Sequence, residues 1–261
     1  TTKLSLRNTD TNMPVKKKTK APGQGMTAKQ MKRRKPISQD YMLPIEPLTD
    51  NQKVMFDAWD EGKMIYAYGV AGTGKTFVAL YKALKEVLDD YSPYEKIYIV
   101  RSLVATREIG FLPGDHEDKS SLYQIPYKNM VQAMFEMPDD NSYEMLYDNL
   151  KAQETISFWS TSFIRGTTLD NSIVIIDECQ NLNFHELDSI ITRVGQDSKI
   201  IFCGDAAQTD LQKISERTGI IDFQRILQEM PEFQLIEFGI EDIVRSGLVK
   251  SYLINKINLG L

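Results

Sequence analysis

The chain has 261 residues, 42% of them apolar and 26% charged. That balance suits a globular protein with room for one nucleotide-binding domain of ordinary size. No apolar run reaches the roughly 18 residues that cross a bilayer, and two cysteines (Cys179 and Cys203) exclude a cystine-stapled scaffold. We expect a cytoplasmic protein with reduced thiols and no membrane partner.

The net charge of −5 is unevenly spread. Residues 1–40 carry eleven Lys and Arg against Asp10 and Asp40, whereas the remainder carries twenty basic and thirty-four acidic residues. A basic arm on an acidic body points to a polyanion partner. Residues 1–44 are polar, hold four prolines and include Lys16-Lys17-Lys18 and Lys32-Arg33-Arg34-Lys35. Such a segment cannot bury enough apolar surface to offset its ordering entropy, so it reads as a disordered arm. It is either a tether for nucleic acid, held by counterion release, or a solvated tail. The opening Thr1-Thr2 without Met reads as a processed start.

From residue 48 the pattern alternates helices and strands. A helix is expected at 49–58, capped by Thr49 or Asp50. Strands are expected near 64–68, 96–101, 155–159, 172–177, 198–203 and 234–238. Helices are expected near 75–88, 119–136, 142–151, 184–194, 219–229 and 241–257. The alternation predicts an α/β fold, a mostly parallel sheet with helices on both faces, in a domain spanning 45–261.

The first strand runs into Gly69-Val70-Ala71-Gly72-Thr73-Gly74-Lys75-Thr76, a G-x-x-x-x-G-K-T loop between a strand and a helix. In that context Gly69, Ala71, Gly72, Thr73 and Gly74 would wrap phosphates with inward N–H groups. Lys75 would reach the β- and γ-phosphates of a nucleoside triphosphate, and the Thr76 hydroxyl would ligate Mg²⁺. Further on, Ile173-Val174-Ile175-Ile176-Asp177-Glu178 is a continuous apolar strand ending in two acids. Its carboxyl end belongs at the ligand edge of a parallel sheet. Asp177 there is a candidate for holding Mg²⁺ through water, and Glu178 for activating the attacking water. Adjacent Asp and Glu favour hydrolysis over kinase chemistry.

The strand 198–203 should lie between those bearing the phosphate loop and the acid pair, so that its tip meets the γ-phosphate. Gln208 suits a γ-phosphate sensor because its amide both donates and accepts; Gln180 is a second candidate. Gln52, ahead of the first strand, is a candidate reader of the adenine edge. Trp59, Trp159, Tyr123 and Tyr127 could stack on bases, but at helical or strand spacing such aromatics are more often core.

The order of Gln52, GVAGTGKT, the strand Ile97-Tyr98-Ile99-Val100-Arg101, DECQ and GDAAQ resembles superfamily 1 helicase ATPases. The intervening stretches are similar to the PhoH-like family in particular. Gly110-Phe111-Leu112-Pro113-Gly114-Asp115 resembles its GFLPG loop, and Ile164-Arg165-Gly166-Thr167-Thr168-Leu169 resembles its MRGRTL. Asp177-Glu178-Cys179-Gln180-Asn181, Thr192-Arg193-Val194-Gly195, the segment 204–211 and Asp242-Ile243-Val244-Arg245 follow in the family's order. Thr167 stands where the family has a second Arg, and the stretch 136–157 is longer and more acidic than usual, so roles tied to those places do not transfer.

The resemblance implies a RecA-like P-loop ATPase coupled to nucleic acid, with single-stranded RNA ahead of DNA, and a ring-like homo-oligomer. A single RecA-like lobe lacks the arginines that a second lobe would bring. A neighbouring subunit would then supply an arginine finger, with Arg245, Arg193 and Arg165 as candidates and Arg245 ahead. Arg101, Ser102, Arg107, Lys119 and Lys128 are candidate phosphate contacts. The alternative from another class is an ATP-switched adaptor that hydrolyses slowly and binds a protein or RNA partner without unwinding. A small-molecule kinase is disfavoured by Glu178 and by the lack of an Arg-rich lid.

Overall fold

The computed structural model describes residues 37–101, 116–164, 166–205 and 214–260. A compact unit extends over Arg34–Leu261. The basic arm up to residue 36, the GFLPG loop, Arg165 and Gln208 lie outside the described residues.

Six strands form a single sheet: β1 (Met64–Gly69), β2 (Lys96–Arg101), β3 (Ile156–Ser160), β4 (Ser172–Asp177), β5 (Lys199–Cys203) and β6 (Phe233–Phe238). Their order is β3-β2-β4-β5-β1-β6, and every neighbouring pair is parallel. Each strand lies within one residue of its expected bounds. β5 sits between β1 and β4, the RecA-like placement anticipated above.

The helices are α1 (Asp50–Asp60), α2 (Lys75–Val87), α3 (His116–Gln132), α4 (Asp140–Ala152), α5 (Thr161–Ile164), α6 (Phe184–Ile191), α7 (Ile214–Gln228) and α8 (Gly247–Asn258). Thr49 caps α1 by accepting from the Gln52 N–H, and Asn183 with Glu186 forms a capping box on α6. No helix among the described residues is long and apolar enough to cross a membrane.

Because strand side chains alternate between faces, the sheet feeds two cores. Ile65, Ala67, Ile97, Ile99, Ile173, Ile175 and Ile201 pack with α1–α4 on one face. Tyr66, Val100, Val174, Ile176, Ile200 and Phe202 pack with α6 and α7 on the other. All residues of β4 and β5 are buried, which is why both read as unbroken apolar runs rather than alternating ones.

Two expectations are corrected. Residues 37–44, assigned to the arm, pack on the domain: Ile37 is buried, Met42 bridges Phe135, and the Leu43 N–H donates to the Met134 carbonyl at 2.8 Å. The helix expected at 241–257 is divided into a 3₁₀ turn, Ile240–Asp242, and α8. The buried Asp242 carboxylate accepts from the Gly239 N–H at 2.9 Å and from Asn51 Nδ2 at 2.7 Å. Those bonds pin the turn to α1 and leave the next residues free to cross the phosphate loop.

The ring of Phe202, fully buried, meets Phe223 at 5.1 Å and Tyr66 at 6.1 Å. Phe202→Ala is expected to lower unfolding free energy by about 3–5 kcal/mol in urea titrations. The surface change Val54→Ala should stay within about 0.5 kcal/mol.

Candidate active site

The carboxyl ends of β1, β2, β4 and β5 meet at one edge of the sheet, where parallel α/β folds open a crevice. A cavity of about 630 Å³ lies there, lined by the phosphate loop together with Arg101, Tyr127, Asp177, Glu178, Asp205 and Arg245. Its size is within the range of small-molecule sites. A second hollow of about 560 Å³ lies beside Phe184, Gly219 and Ile226 and gathers no comparable set of groups.

The loop between β1 and α2 depends on its glycines. Gly69, Gly72 and Gly74 have φ of +119°, +76° and +82°, the left-handed side that side chains disfavour. A Cβ on Gly69 would stand 2.2 Å from the Phe238 carbonyl oxygen, which also accepts from the Val70 N–H at 2.9 Å. Gly74 leads directly into the first turn of α2, so the helix's partial positive charge faces the cavity.

Lys75 is buried and its ammonium donates to the Val70 carbonyl at 2.7 Å, to Gly69 O at 3.3 Å and to Thr73 Oγ1 at 3.2 Å. Burial pulls its pKa down, while Asp205, Glu178 and Asp177 oppose that shift. The loop's own carbonyls thus hold the cation where an anion would replace them.

At the end of β4, the buried Asp177 carboxylate accepts from two hydroxyls. Thr76 Oγ1 donates to Oδ1 at 2.7 Å and Tyr127 Oη to Oδ2 at 2.5 Å. Burial, together with the Asp177 charge, pushes the Tyr127 phenol well above its usual pKa and keeps it a donor. A hydroxyl and a carboxylate so placed are hard oxygen donors. Among the described residues no group of three or more His, Cys, Asp or Glu could cage a metal. That donor set fits Mg²⁺, which retains waters and takes its other ligands from phosphates.

Glu178 follows in a left-handed conformation, φ +53° and ψ +41°, which turns the chain off the strand at an energetic cost of order 1–3 kcal/mol. Its carboxylate accepts from Gln180 Nε2 at 2.6 Å and stands 3.7 Å from an Arg101 guanidinium nitrogen. Gln180 Oε1 in turn accepts from the Asp205 N–H at 2.9 Å. A Cβ at Gly204 would come within 3.1 Å of that same oxygen, so a glycine there lets the tips of β4 and β5 approach. Cys179 and Cys203 are fully buried beside this cluster, and burial drives both thiols up in pKa.

Of the sequence-derived candidates, Ala71, Gly72, Thr73, Gly74, Lys75, Thr76, Asp177 and Glu178 line this one cavity, and four others are placed differently from expectation. Gln52 lines the cavity, but its amide already braces the loop: Nε2 donates to Thr73 O at 2.9 Å and Oε1 accepts from the Leu48 N–H at 2.8 Å. One N–H and one lone pair remain for a base edge. Arg245, expected to serve a neighbour, lies against its own phosphate loop; a Cβ on Gly72 would be 2.9 Å from its Cγ. The adjacent Val244 N–H donates to the Gly72 carbonyl at 3.1 Å, which fixes that placement. Arg193 is at the opposite edge of the sheet, where its carbonyl accepts from the Leu169 N–H ahead of β4. Lys128 pairs with Glu144 of α4. Tyr127 and Asp205 are the site residues that the motifs did not single out for a role. Asp205 sits inside the quoted Gly-Asp motif, whereas nothing local in the sequence marks Tyr127.

A family model described as PhoH-like protein matches residues 44–255. A PhoH-like protein of Mycobacterium leprae is 32% identical over 206 residues, 78% of this chain and 56% of the relative. One from Bacillus subtilis is 31% identical over 210 residues, covering 77% and 60%. Protein PhoH of Escherichia coli is 29% identical over 212 residues, covering 80% and 57%. The chain thus spans somewhat over half the length of the curated relatives it matches. Among solved structures, the large terminase of a thermophilic bacteriophage aligns with a TM-score of 0.45 at 12% identity, over 79% of this chain and 50% of that one. Pif1 from Bacteroides sp in complex with ADP-AlF4 aligns with a TM-score of 0.39 at 16% identity, over 82% and 46%.

The Gly69 collision and the Gly69 backbone conformation are separable. Gly62→Ala, at φ +83° with nothing within 4 Å of its Cβ, should cost only the left-handed penalty of about 1–2 kcal/mol. Gly69→Ala should cost more and should also abolish the rise in melting temperature on adding ADP, which Gly62→Ala keeps.

Proposed function

The chain belongs to the PhoH-like family, and on that premise we propose that it is a Mg²⁺-dependent ATPase coupled to single-stranded nucleic acid, with RNA preferred over DNA. The observation that carries this reading is the meeting of Lys75, Thr76, Asp177 and Glu178 around one cavity at the carboxyl edge of the sheet.

The N–H groups of the loop 69–74 and the start of α2 would receive the phosphates, and Lys75 would exchange its carbonyl partners for phosphate oxygens. Thr76 and Asp177 would hold Mg²⁺, which neutralises charge on the β- and γ-oxygens when bound. Glu178, held by Gln180, is the base for water, and general-base help of this kind contributes roughly 10²–10⁴ in rate. Gln208 is the proposed γ-phosphate sensor. Arg245 is the proposed source of positive charge for the transition state, supplied within the chain.

Arg101 at the tip of β2 touches Glu178 and precedes Ser102 and Arg107 in sequence. A phosphodiester backbone drawn to these residues would therefore act on the group that activates water. With Arg245 beside its own loop, a neighbour's finger is not part of this reading. Self-association is instead proposed from the apolar strip on α8, where Leu248, Val249 and Tyr252 are 84%, 42% and 65% exposed.

Steady-state ATPase assays with and without single-stranded RNA and DNA test the coupling. RNA should stimulate turnover more than DNA, and Arg101→Gln should lower the fold-stimulation more than it lowers the basal rate. A low, unstimulated rate with ATP-dependent binding of a partner would favour the adaptor instead. Light scattering should show an oligomer in the wild type and a smaller species for Leu248→Glu.

A further inference from the structure

Tyr127 contributes a contact that the phosphate-loop and acid-pair motifs do not account for. It stands on α3, is 2% exposed, and packs its ring against Phe158 at 5.4 Å between centroids. Its phenol reaches the oxygen of Asp177 that Thr76 leaves open. Each carboxylate oxygen of Asp177 thus accepts one hydroxyl hydrogen, and the two donors come from different helices, α2 and α3.

That arrangement constrains what the carboxylate can do for a cation. A carboxylate oxygen offers two lone-pair sites, and bidentate ligation needs both oxygens turned to the same ion. Ca²⁺ accepts six to eight oxygens in flexible geometry and readily takes carboxylates bidentately, whereas Mg²⁺ keeps several waters in a strict octahedron. With Oδ1 held from α2 and Oδ2 from α3, turning the Asp177 carboxylate to wrap an ion would break one of the two hydroxyl bonds.

We propose that Tyr127 is a positioning residue for the divalent cation: its hydroxyl holds Asp177 so that the carboxylate serves the ion through water, which favours Mg²⁺ over Ca²⁺. The proposal rests on the assignment of Thr76 and Asp177 as the metal-holding pair. A merely structural tyrosine, anchoring α3 to β4, would matter for stability but not for which ion binds.

The test uses the full chain with ADP, so that no turnover enters the readout, and titrates Mg²⁺ and Ca²⁺ calorimetrically into wild type and Tyr127→Phe. The phenylalanine keeps the ring and removes only the donor. Mg²⁺ affinity should fall by about tenfold or more, as loss of a hydrogen-bond partner behind a metal site commonly does, while Ca²⁺ affinity falls less, so that the preference for Mg²⁺ shrinks. An unchanged ratio in a variant that melts like wild type overturns the proposal. Asp177→Asn separates the two layers: if it leaves both ions' affinities unchanged, the metal assignment itself falls. Should the Phe variant not fold, wild type carries the test with Mn²⁺, ADP and ¹³C-labelled aspartate. Weak electron–nuclear coupling to the carboxylate carbon is the expected result, and the strong coupling of a directly bound carboxylate overturns the proposal.

Discussion

Thr76 and Asp177 are 101 residues apart in sequence and joined by a 2.7 Å hydrogen bond, and the rest of the site depends on that contact. It forms because β5 separates β1 from β4 by one strand width, about 4.8 Å on each side, and all three strands point the same way. The helix that opens after β1 therefore starts level with the end of β4. The buried carboxylate so produced would be costly without donors, and Thr76 and Tyr127 supply one to each oxygen.

The backbone around the contact is less relaxed than the core beneath it. Three left-handed glycines shape the phosphate loop, and Glu178 adopts a left-handed conformation without being glycine. Such conformations persist only where the surroundings over-determine them. Here the surroundings are two fully buried strands, β4 and β5, and the bonds that Gln180 makes to Glu178 and Asp205. The tips of β2, β4 and β5 are thereby linked, so a disturbance at Arg101 has a short physical route to the carboxylate proposed to activate water.

Much of this was legible in the sequence because it is local. Ile173-Val174-Ile175-Ile176 and Ile200-Ile201-Phe202 read as buried strands since both of their faces are covered. The glycine spacing of 69–74 reads as a phosphate loop because few backbones other than glycine's can follow it. What the sequence hid was decided by distant partners. Asp242 breaks the expected helix through its bond to Asn51, 191 residues away. Ile37 leaves the polar arm to join the buried core, and Met42 does so by bridging Phe135 in the turn after α3. Tyr127, 50 residues from Asp177, looks like any core aromatic until the fold brings it to the carboxylate. Arg245 stood out in the sequence as a candidate arginine, but its return to its own loop follows from the Val244 bond to Gly72, which no local pattern encodes.

The proposed chemistry stands most directly on Glu178 acting on water rather than on ATP binding. Single-turnover hydrolysis of ATP by Glu178→Gln, with nucleotide affinity measured in parallel, separates the two. The predicted result is affinity close to wild type and a hydrolysis rate lower by about 10²–10⁴. A variant that hydrolyses ATP at the wild-type rate would contradict it.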